Sequence, residues 1–399
     1  MHGGKCPAGP WQRIEKTGDK SQNPGSGIKI THAGRRLSFS VSVAKQNKMK
    51  LSHLGEFGLI HKIQQLSSRK TPAVLLGIGD DAAVLKASSN RLLLATTDML
   101  IEDVHFDLSC TDFYSLGWKS AAANLSDIAA MGGIPRFCLT SIGISPDITV
   151  EQISKFYRGF NALLSMHKTA LVGGDTCSSL NDLNISVTVL GEVEKKRVVT
   201  RARAKAGDRI FVTGTLGDSA AGLELLKARF MGQETGDRGK DVKSKILNRK
   251  SEIRRLIERH LRPAPRVEWG RKIALAGCAN SMIDVSDGIS SDLSHICEQS
   301  KVGALLYSSK IPFSAALLKS MDHLEKTLLH YALSGGEDYE LLFTVPPAKI
   351  RKVQSLDIPA TEIGEITHTR ALFIVDGKNR KRKLIPTGYN HFTRTVLRS

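Results

Sequence analysis

Leu76-Gly77-Ile78-Gly79-Asp80-Asp81-Ala82-Ala83 is the stretch from which the organisation of this chain is read. An apolar run of β character ends there in two glycines and two adjacent carboxylates. Glycine allows a backbone turn that a Cβ would obstruct, so Asp80 and Asp81 are expected at a tight corner. Adjacent carboxylates repel, and at a strand end among apolar residues neither is well solvated; a bound cation keeps both ionised. Taken alone, the same residues are more often a simple Gly-Asp turn or a helix N-cap. The neighbouring sequence decides between these readings.

On the N-terminal side, Phe57, Ile60, Ile63 and Leu66 are spaced to share one helical face, and residues 73–78 form a strand that delivers the two acids. Before them, residues 1–48 hold nine Lys and Arg against Glu15 and Asp19, which is +7 of the chain's formal +18. This segment is rich in Gly and Ser and lacks both helical periodicity and the apolar core of a secretory signal. It reads as a disordered basic tail. Met49 has the look of a natural start, and mass spectrometry of the native N-terminus checks this, since peptides upstream of Met49 would refute it.

On the C-terminal side, a strand at 92–96 runs into Thr97-Asp98, so a second strand is expected to end in an acid. Residues 112–130 read as a helix with small residues along one side, suited to close packing on a sheet. Asp127 lies inside it, a costly place unless something pairs with it or that face is exposed. Strand 137–144, helix 150–166 and strand 169–172 follow, the last ending in Gly173-Gly174-Asp175-Thr176. After strand 185–193 comes Arg201, and then Ala206-Gly207-Asp208, a turn of the kind found between domains.

The second half opens with strand 209–213 and the turn Gly214-Thr215-Leu216-Gly217-Asp218, leading into a helix at 219–229. No Gly-Lys-Ser/Thr follows, so the turn is not a P-loop and is weighed as structure. Residues 231–250 are polar and charged and read as a surface loop; helices are expected at 253–261 and 267–276. Strand 281–285 carries Asp284 and runs into Ser286-Asp287-Gly288, with Asp292 one turn into the next helix. Ser334-Gly335-Gly336-Glu337-Asp338-Tyr339-Glu340 enters strand 341–345, strands at 361–367 and 372–375 follow, and a basic turn at 378–383 precedes Gly388-Tyr389-Asn390-His391-Phe392.

Composition narrows the class. With 399 residues, 41% of them apolar and 24% charged, the chain is long enough for two domains with cores. No apolar run approaches the roughly 18 to 20 residues needed to span a bilayer, so a soluble protein is expected, with no membrane partner. Six scattered cysteines form no C-x-x-C pair, which suits reduced thiols and a cytoplasmic location. The positive charge is compatible with a nucleic-acid partner or anionic substrates. Much of it falls in the tail and loops, and no recognition motif accompanies it, so no nucleic-acid partner is expected.

Asp80, Asp81, Asp98, Asp127, Asp175, Asp284 and Asp287 nearly all lie at an expected strand end or beside Gly or Ser. Their convergence would need several divalent cations, and hard oxygen ligands without a His/Cys pattern select Mg²⁺. Mg²⁺ held by a few carboxylates shares its other positions with water and phosphate, which points to a nucleotide substrate.

The set GIGDDAA (77–83), TTDML (96–100) with His105, NLSDIAAMGG (124–133), GGDT (173–176), VTGTLGDSAAGL (212–223), HLRPAPR (260–266), DVSDGISSDL (284–293), LSGGEDYELLFTV (333–345) and GYNHF (388–392) closely resembles the thiamine-monophosphate kinases. That family belongs to the aminoimidazole ribonucleotide synthetase superfamily. The resemblance spans residues 55–392 and implies an α/β fold of mixed sheets in two domains. These are an N-terminal domain at 55–194, whose sheet forms a homodimer interface, and a C-terminal domain at 197–396. It implies phosphorylation of thiamine monophosphate by ATP with several Mg²⁺ ions. Metal positions fall on Asp81, Thr96, Thr97, Asp98, Asp127, Asp175, Asp284 and Asp287; ATP contacts on Gly174, Asp175, Arg201 and Ser286; substrate contacts on His105, Glu337 and Tyr389. Asp127 and Arg201 are the expected catalytic pair. Without the family, His105 reads equally as a structural histidine, Glu337 as a turn acid and Tyr389 as a core aromatic. Two rivals remain: a sister synthetase such as a selenophosphate or aminoimidazole ribonucleotide synthetase, and a basic nucleic-acid-binding protein. Cys6 does not match the reactive cysteine of a selenophosphate synthetase.

Overall fold

In the computed structural model, residues 74–76, 80–86, 90–234 and 250–389 are described. The expected basic tail, the helix after Gly55, residues 235–249 and residues 390–392 lie outside them. Among the described residues the first half forms β1 (Val74–Leu76), β2 (Ala83–Lys86), β3 (Arg91–Ile101), α1 (Phe113–Ala130), β4 (Ile134–Ile144), α2 (Val150–Met166), β5 (Ala170–Ser178) and β6 (Asn184–Glu194). The strands make a six-stranded sheet in the order β1-β2-β3-β6-β4-β5, antiparallel except for β4 with β5.

Period-2 alternation gives this sheet two unlike faces. Ile185, Val187, Val189 and Val193 of β6 point inward and are buried, as do Leu92, Leu94 and Leu100 of β3. On the outward face Met99 and Phe137 are exposed. Helix α1 packs on the inner face against β3, β4 and β6, with α2 beside it. The two helices approach closely because each offers a glycine: a Cβ on Gly117 would lie 2.0 Å from the Phe156 carbonyl oxygen, and one on Gly159 1.9 Å from that of Tyr114. The side chain of Asp112 caps α1 by accepting from the Ser115 N–H, which starts the helix where the sequence places it.

The second half contains β7 (Arg209–Thr213), α3 (Asp218–Glu234), α4 (Lys250–Leu261), α5 (Val267–Ala276), β8 (Ser281–Asp284), α6 (Ile289–Ser300), β9 (Gly303–Tyr307), α7 (Ala315–Ser320), α8 (Leu328–Ser334), β10 (Leu341–Val345), α9 (Ile350–Gln354), β11 (Ala360–Thr367), β12 (Leu372–Val375) and β13 (Lys381–Lys383). Its seven strands run in the order β13-β12-β9-β11-β7-β10-β8. The central strands are covered on both sides, which explains why they read as unbroken apolar runs. Ile210, Val212, Ile283 and Leu342 pack with Ile289, Leu293 and Ile296 of α6. Phe211, Met282, Leu341 and Phe343 face the other way and join the core of the first half, together with Leu125 and Ile128 of α1. Helix α1 therefore lies between the two sheets, buried almost all round, and its alanines are there because bulkier side chains would hold the layers apart. No helix among the described residues is long and apolar enough to cross a membrane, and Cys110, Cys138, Cys177, Cys278 and Cys297 are all unbridged.

Four expectations need correction. Asp98 does not end its strand: β3 continues to Ile101, its eleven residues being paired along their length with β6. Asp175 likewise sits within β5, which extends to Ser178 because β4 pairs with it throughout. Residues 231–234 are the last turn of α3 and not loop. The basic stretch 378–383 includes β13, which pairs antiparallel with β12, a charged edge strand of the kind that resists further pairing.

Candidate active site

Three elements meet at the inner face of the first sheet. Asp81 lies in the bend that leads into β2, Asp127 in the last turns of α1, and Asp284 ends β8 of the other sheet. One carboxylate oxygen from each lies within 4.8 Å of the other two. Thr96, on the inward side of β3, donates its hydroxyl to Asp127, and the Ser126 hydroxyl donates to Asp284 at 2.6 Å. Asp98 is two residues beyond Thr96 and so shares its side of the strand.

Burial and mutual repulsion raise the carboxyls of Asp98, Asp127 and Asp284 above the ordinary range. Asp127 is raised well above the usual carboxylate range by burial and then by Asp98, Asp284 and Asp81. Asp284 is raised by burial and by Asp81, and Asp98 is pushed up to about 6 by the same two causes. Asp80 is pushed up to about 7 by burial and by Asp81, although Arg201 opposes the shift. Asp292, 1% exposed, is raised by burial and by Asp287, and its Oδ2 has no hydrogen-bond partner.

Mg²⁺ bonds of about 2.1 Å place ligand oxygens roughly 3 to 4 Å apart, so the Asp81, Asp127 and Asp284 trio is spaced for a shared cation. The donor set, carboxylates with a threonine hydroxyl and no thiol or imidazole, suits a hard ion. Arg201 supplies the positive charge in this structure. Its guanidinium pairs with the Asp81 carboxylate, its Nε lying 3.2 Å from Oδ2, and its backbone N–H donates to Asp80 at 3.1 Å.

The turn between β8 and α6 gathers the other expected residues. The Ser286 carbonyl accepts from the Glu337 N–H at 2.8 Å, and the Asp287 carbonyl from the Tyr389 N–H at 3.4 Å. Glu337 has φ 64° and Tyr339 φ 50°, left-handed conformations that cost a non-glycine residue of order 1 kcal/mol each and cluster at working sites. His105 lies just past the end of β3, its Nδ1 accepting from the Ile101 N–H at 3.0 Å.

Thr97 and Asp175 do not stand with the trio. Thr97 is the outward neighbour of Thr96 and donates to the Val187 carbonyl, and Asp175 is exposed and lines an outer groove with Met99, Ser141 and Ser186. Alternation along the strands puts both on the other side of the sheet. Gly174 is exposed beside Asp175 with φ 154°, and a Cβ there would lie 1.9 Å from the Thr140 carbonyl oxygen.

The glycine-rich turn before α3 is already filled. Asp338 accepts from the Gly217 N–H at 2.6 Å and the Ser219 N–H at 3.1 Å, taking the donors a phosphate would use. Lys119 and His260 escaped the sequence reading although both are buried beside Glu337. A signal was present for Lys119: a lysine in the alanine-rich helix that carries Asp127 needs a partner as much as the aspartate does.

Comparison with known proteins shows the family. Residues 79–193 match the family model for the N-terminal domain of AIR synthase related proteins, and residues 205–377 that for the C-terminal domain. The thiamine-monophosphate kinase of Aquifex aeolicus is 39% identical over 344 residues, covering 86% of this chain and 100% of the relative. That of Bacillus subtilis is 37% identical over 344 residues, covering 85% and 100%. The solved structure of AaThiL complexed with AMPPCP and TMP superposes with a TM-score of 0.73 at 36% identity, covering 86% of this chain and 99% of that one.

Proposed function

Because this chain belongs to the thiamine-monophosphate kinase family, we propose that it transfers the γ-phosphate of ATP to thiamine monophosphate, forming thiamine diphosphate as the last step of that cofactor's synthesis. The observation that carries the reading is the convergence of Asp81, Asp127 and Asp284 from three separate parts of the chain onto one point. The acceptor is a phosphate oxygen already ionised at neutral pH, so no general base is needed. The obstacle is repulsion between anions, which favours positive charge and in-line alignment over proton transfer.

When bound, Mg²⁺ would supply that charge and polarise the phosphoryl oxygens. Asp81, Thr96, Asp98, Asp127, Asp284 and Asp287 would hold it from the inner side. Asp127 would hold it from the helix packed between both sheets. Arg201, now on Asp81, is placed to turn to a phosphate once a cation replaces it there. Ser286 would contact the nucleotide beside it, with His105, Glu337 and Tyr389 around the thiamine monophosphate. Thr97, Gly174 and Asp175 would serve nucleotide and cations from the outward face. That face, with Met99 and Phe137 exposed, is the surface through which a homodimer would form. The working unit in this reading comprises domains at 55–194 and 197–396 of a cytoplasmic enzyme.

The test is ADP release from ATP and Mg²⁺ with thiamine monophosphate, free thiamine or selenide as acceptor. Turnover with the monophosphate alone is expected; turnover with selenide in its place would move the chain to a sister activity.

A further inference from the structure

Lys119 is the charged residue of α1 to which the phosphoryl-transfer chemistry assigns no task. Its side chain is 3% exposed, and it lies about two helical turns before Asp127, on the same side of the helix. It reaches from the first half of the molecule to the second: Nζ is 2.7 Å from Oε1 and 2.8 Å from Oε2 of Glu337, and 3.4 Å from Nε2 of the buried His260.

The imidazole completes the arrangement. An ammonium only donates, so the Nε2 facing it is an acceptor, and the proton of the neutral ring sits on Nδ1. Burial, with Lys119 beside it, pushes His260 down to about 3, so the ring is neutral. Nδ1 lies 3.3 Å from Oε2 of Glu337 and 3.2 Å from the Ser219 hydroxyl.

A carboxylate has about four acceptor positions. Lys119 uses one on each oxygen of Glu337, while the Nδ1 of His260, whose hydrogen bond goes to the Ser219 hydroxyl, stands 3.3 Å from Oε2 and packs against it. Acceptor capacity is left on the carboxylate, and the side chain is 30% exposed, so a ligand has access to it. The backbone is fixed as well, in its left-handed conformation, by the N–H of Glu337 on the Ser286 carbonyl.

We propose that Lys119 and His260 are positioning residues that hold Glu337 in one orientation, with its remaining acceptor presented to the amino group on the pyrimidine ring of the substrate. The site then selects an aminopyrimidine over its carbonyl counterpart, whose oxygen would face the carboxylate and be repelled. This rests on the reading above in which Glu337 meets thiamine monophosphate.

Lys119→Met keeps the apolar stem and removes the charge, and steady-state kinetics of the full chain read the result. The KM for thiamine monophosphate should rise about tenfold or more while that for ATP stays within about twofold. The wild-type preference for thiamine monophosphate over the analogue with a carbonyl in place of the amino group should fall by about tenfold. His260→Asn, whose amide nitrogen stands where Nδ1 does, should keep the monophosphate KM near that of wild type, and His260→Leu should raise it. That pair decides the matter if Lys119→Met fails to fold. An unchanged monophosphate KM, equal rises in both KM values, or an unaltered analogue preference overturns the proposal and leaves Lys119 as a bolt between the two halves. A wild-type chain with no monophosphate turnover would instead sink the kinase reading.

Discussion

Glu340, just before β10, and Asp284, at the end of the neighbouring β8, are 0% and 2% exposed and stand in opposite company. Glu340 receives the guanidinium groups of Arg259 and Arg266 and, at 2.7 Å, the Thr213 hydroxyl. Asp284 receives one serine hydroxyl and faces Asp81 and Asp127, a repulsion that the nearby Arg201 only partly offsets. The first carboxylate is desolvated but compensated, so it ties α4 and the start of α5 to the sheet. The second is desolvated among its own kind, an arrangement that stability alone does not favour. Buried acids with partners build the fold, and buried acids facing acids wait for a cation.

The largest effect that tests this contrast is on turnover. Asp127→Asn should reduce ADP release by about a thousandfold, some 4 kcal/mol of lost transition-state stabilisation, with the chain still folded by circular dichroism. Full activity in that variant would break the metal assignment. Glu340→Gln should act on stability instead, lowering resistance to urea by about 3 kcal/mol because the buried acid's two partly buried arginines lose their counter-charge. A neutral result there would erase the distinction between the two acids.

A smaller effect lies in pH. Asp98 is pushed up to about 6 and Asp80 to about 7 from an ordinary 3.8, so the folded chain holds protons that the unfolded chain has released. In EDTA, the contribution of these two acids to stability should be fully present below about pH 4 and be lost as pH rises through 6 to 7, and saturating Mg²⁺ should flatten that decline. Denaturant midpoints rising across this window in EDTA would contradict the reading. The smallest effect is the sharpest: Asp284→Asn in EDTA should leave stability unchanged or raise it by up to about 1 kcal/mol, since it removes a carboxyl whose ionisation burial and Asp81 oppose. A loss as large as that of Glu340→Gln would mean that Asp284 serves the fold.

Much of the fold was legible because local signals agreed with tertiary demands. Strands 209–213 and 341–345 and helices 150–166 and 267–276 are found where periodicity and caps put them. The misjudged strand ends share a cause. Polar residues such as Thr97-Asp98 and Gly174-Asp175 read locally as terminators, whereas β6 and β4 supply ladder partners that carry β3 and β5 past them. Lys119 was overlooked for the converse reason, since its partners lie 141 and 218 residues away.

The amino-acid order by itself determined which residues are acids beside glycines, which segments are amphipathic and which family the motifs resemble, because these depend on spacing along the chain. Only the tertiary structure decided which acids face one another. It set Asp81, Asp127 and Asp284 together, turned Thr97 and Asp175 to the other side of the sheet, and gave Glu340 its arginines. Whether a buried charge is compensated depends on neighbours within a few ångströms, and packing brings those neighbours from anywhere in the chain.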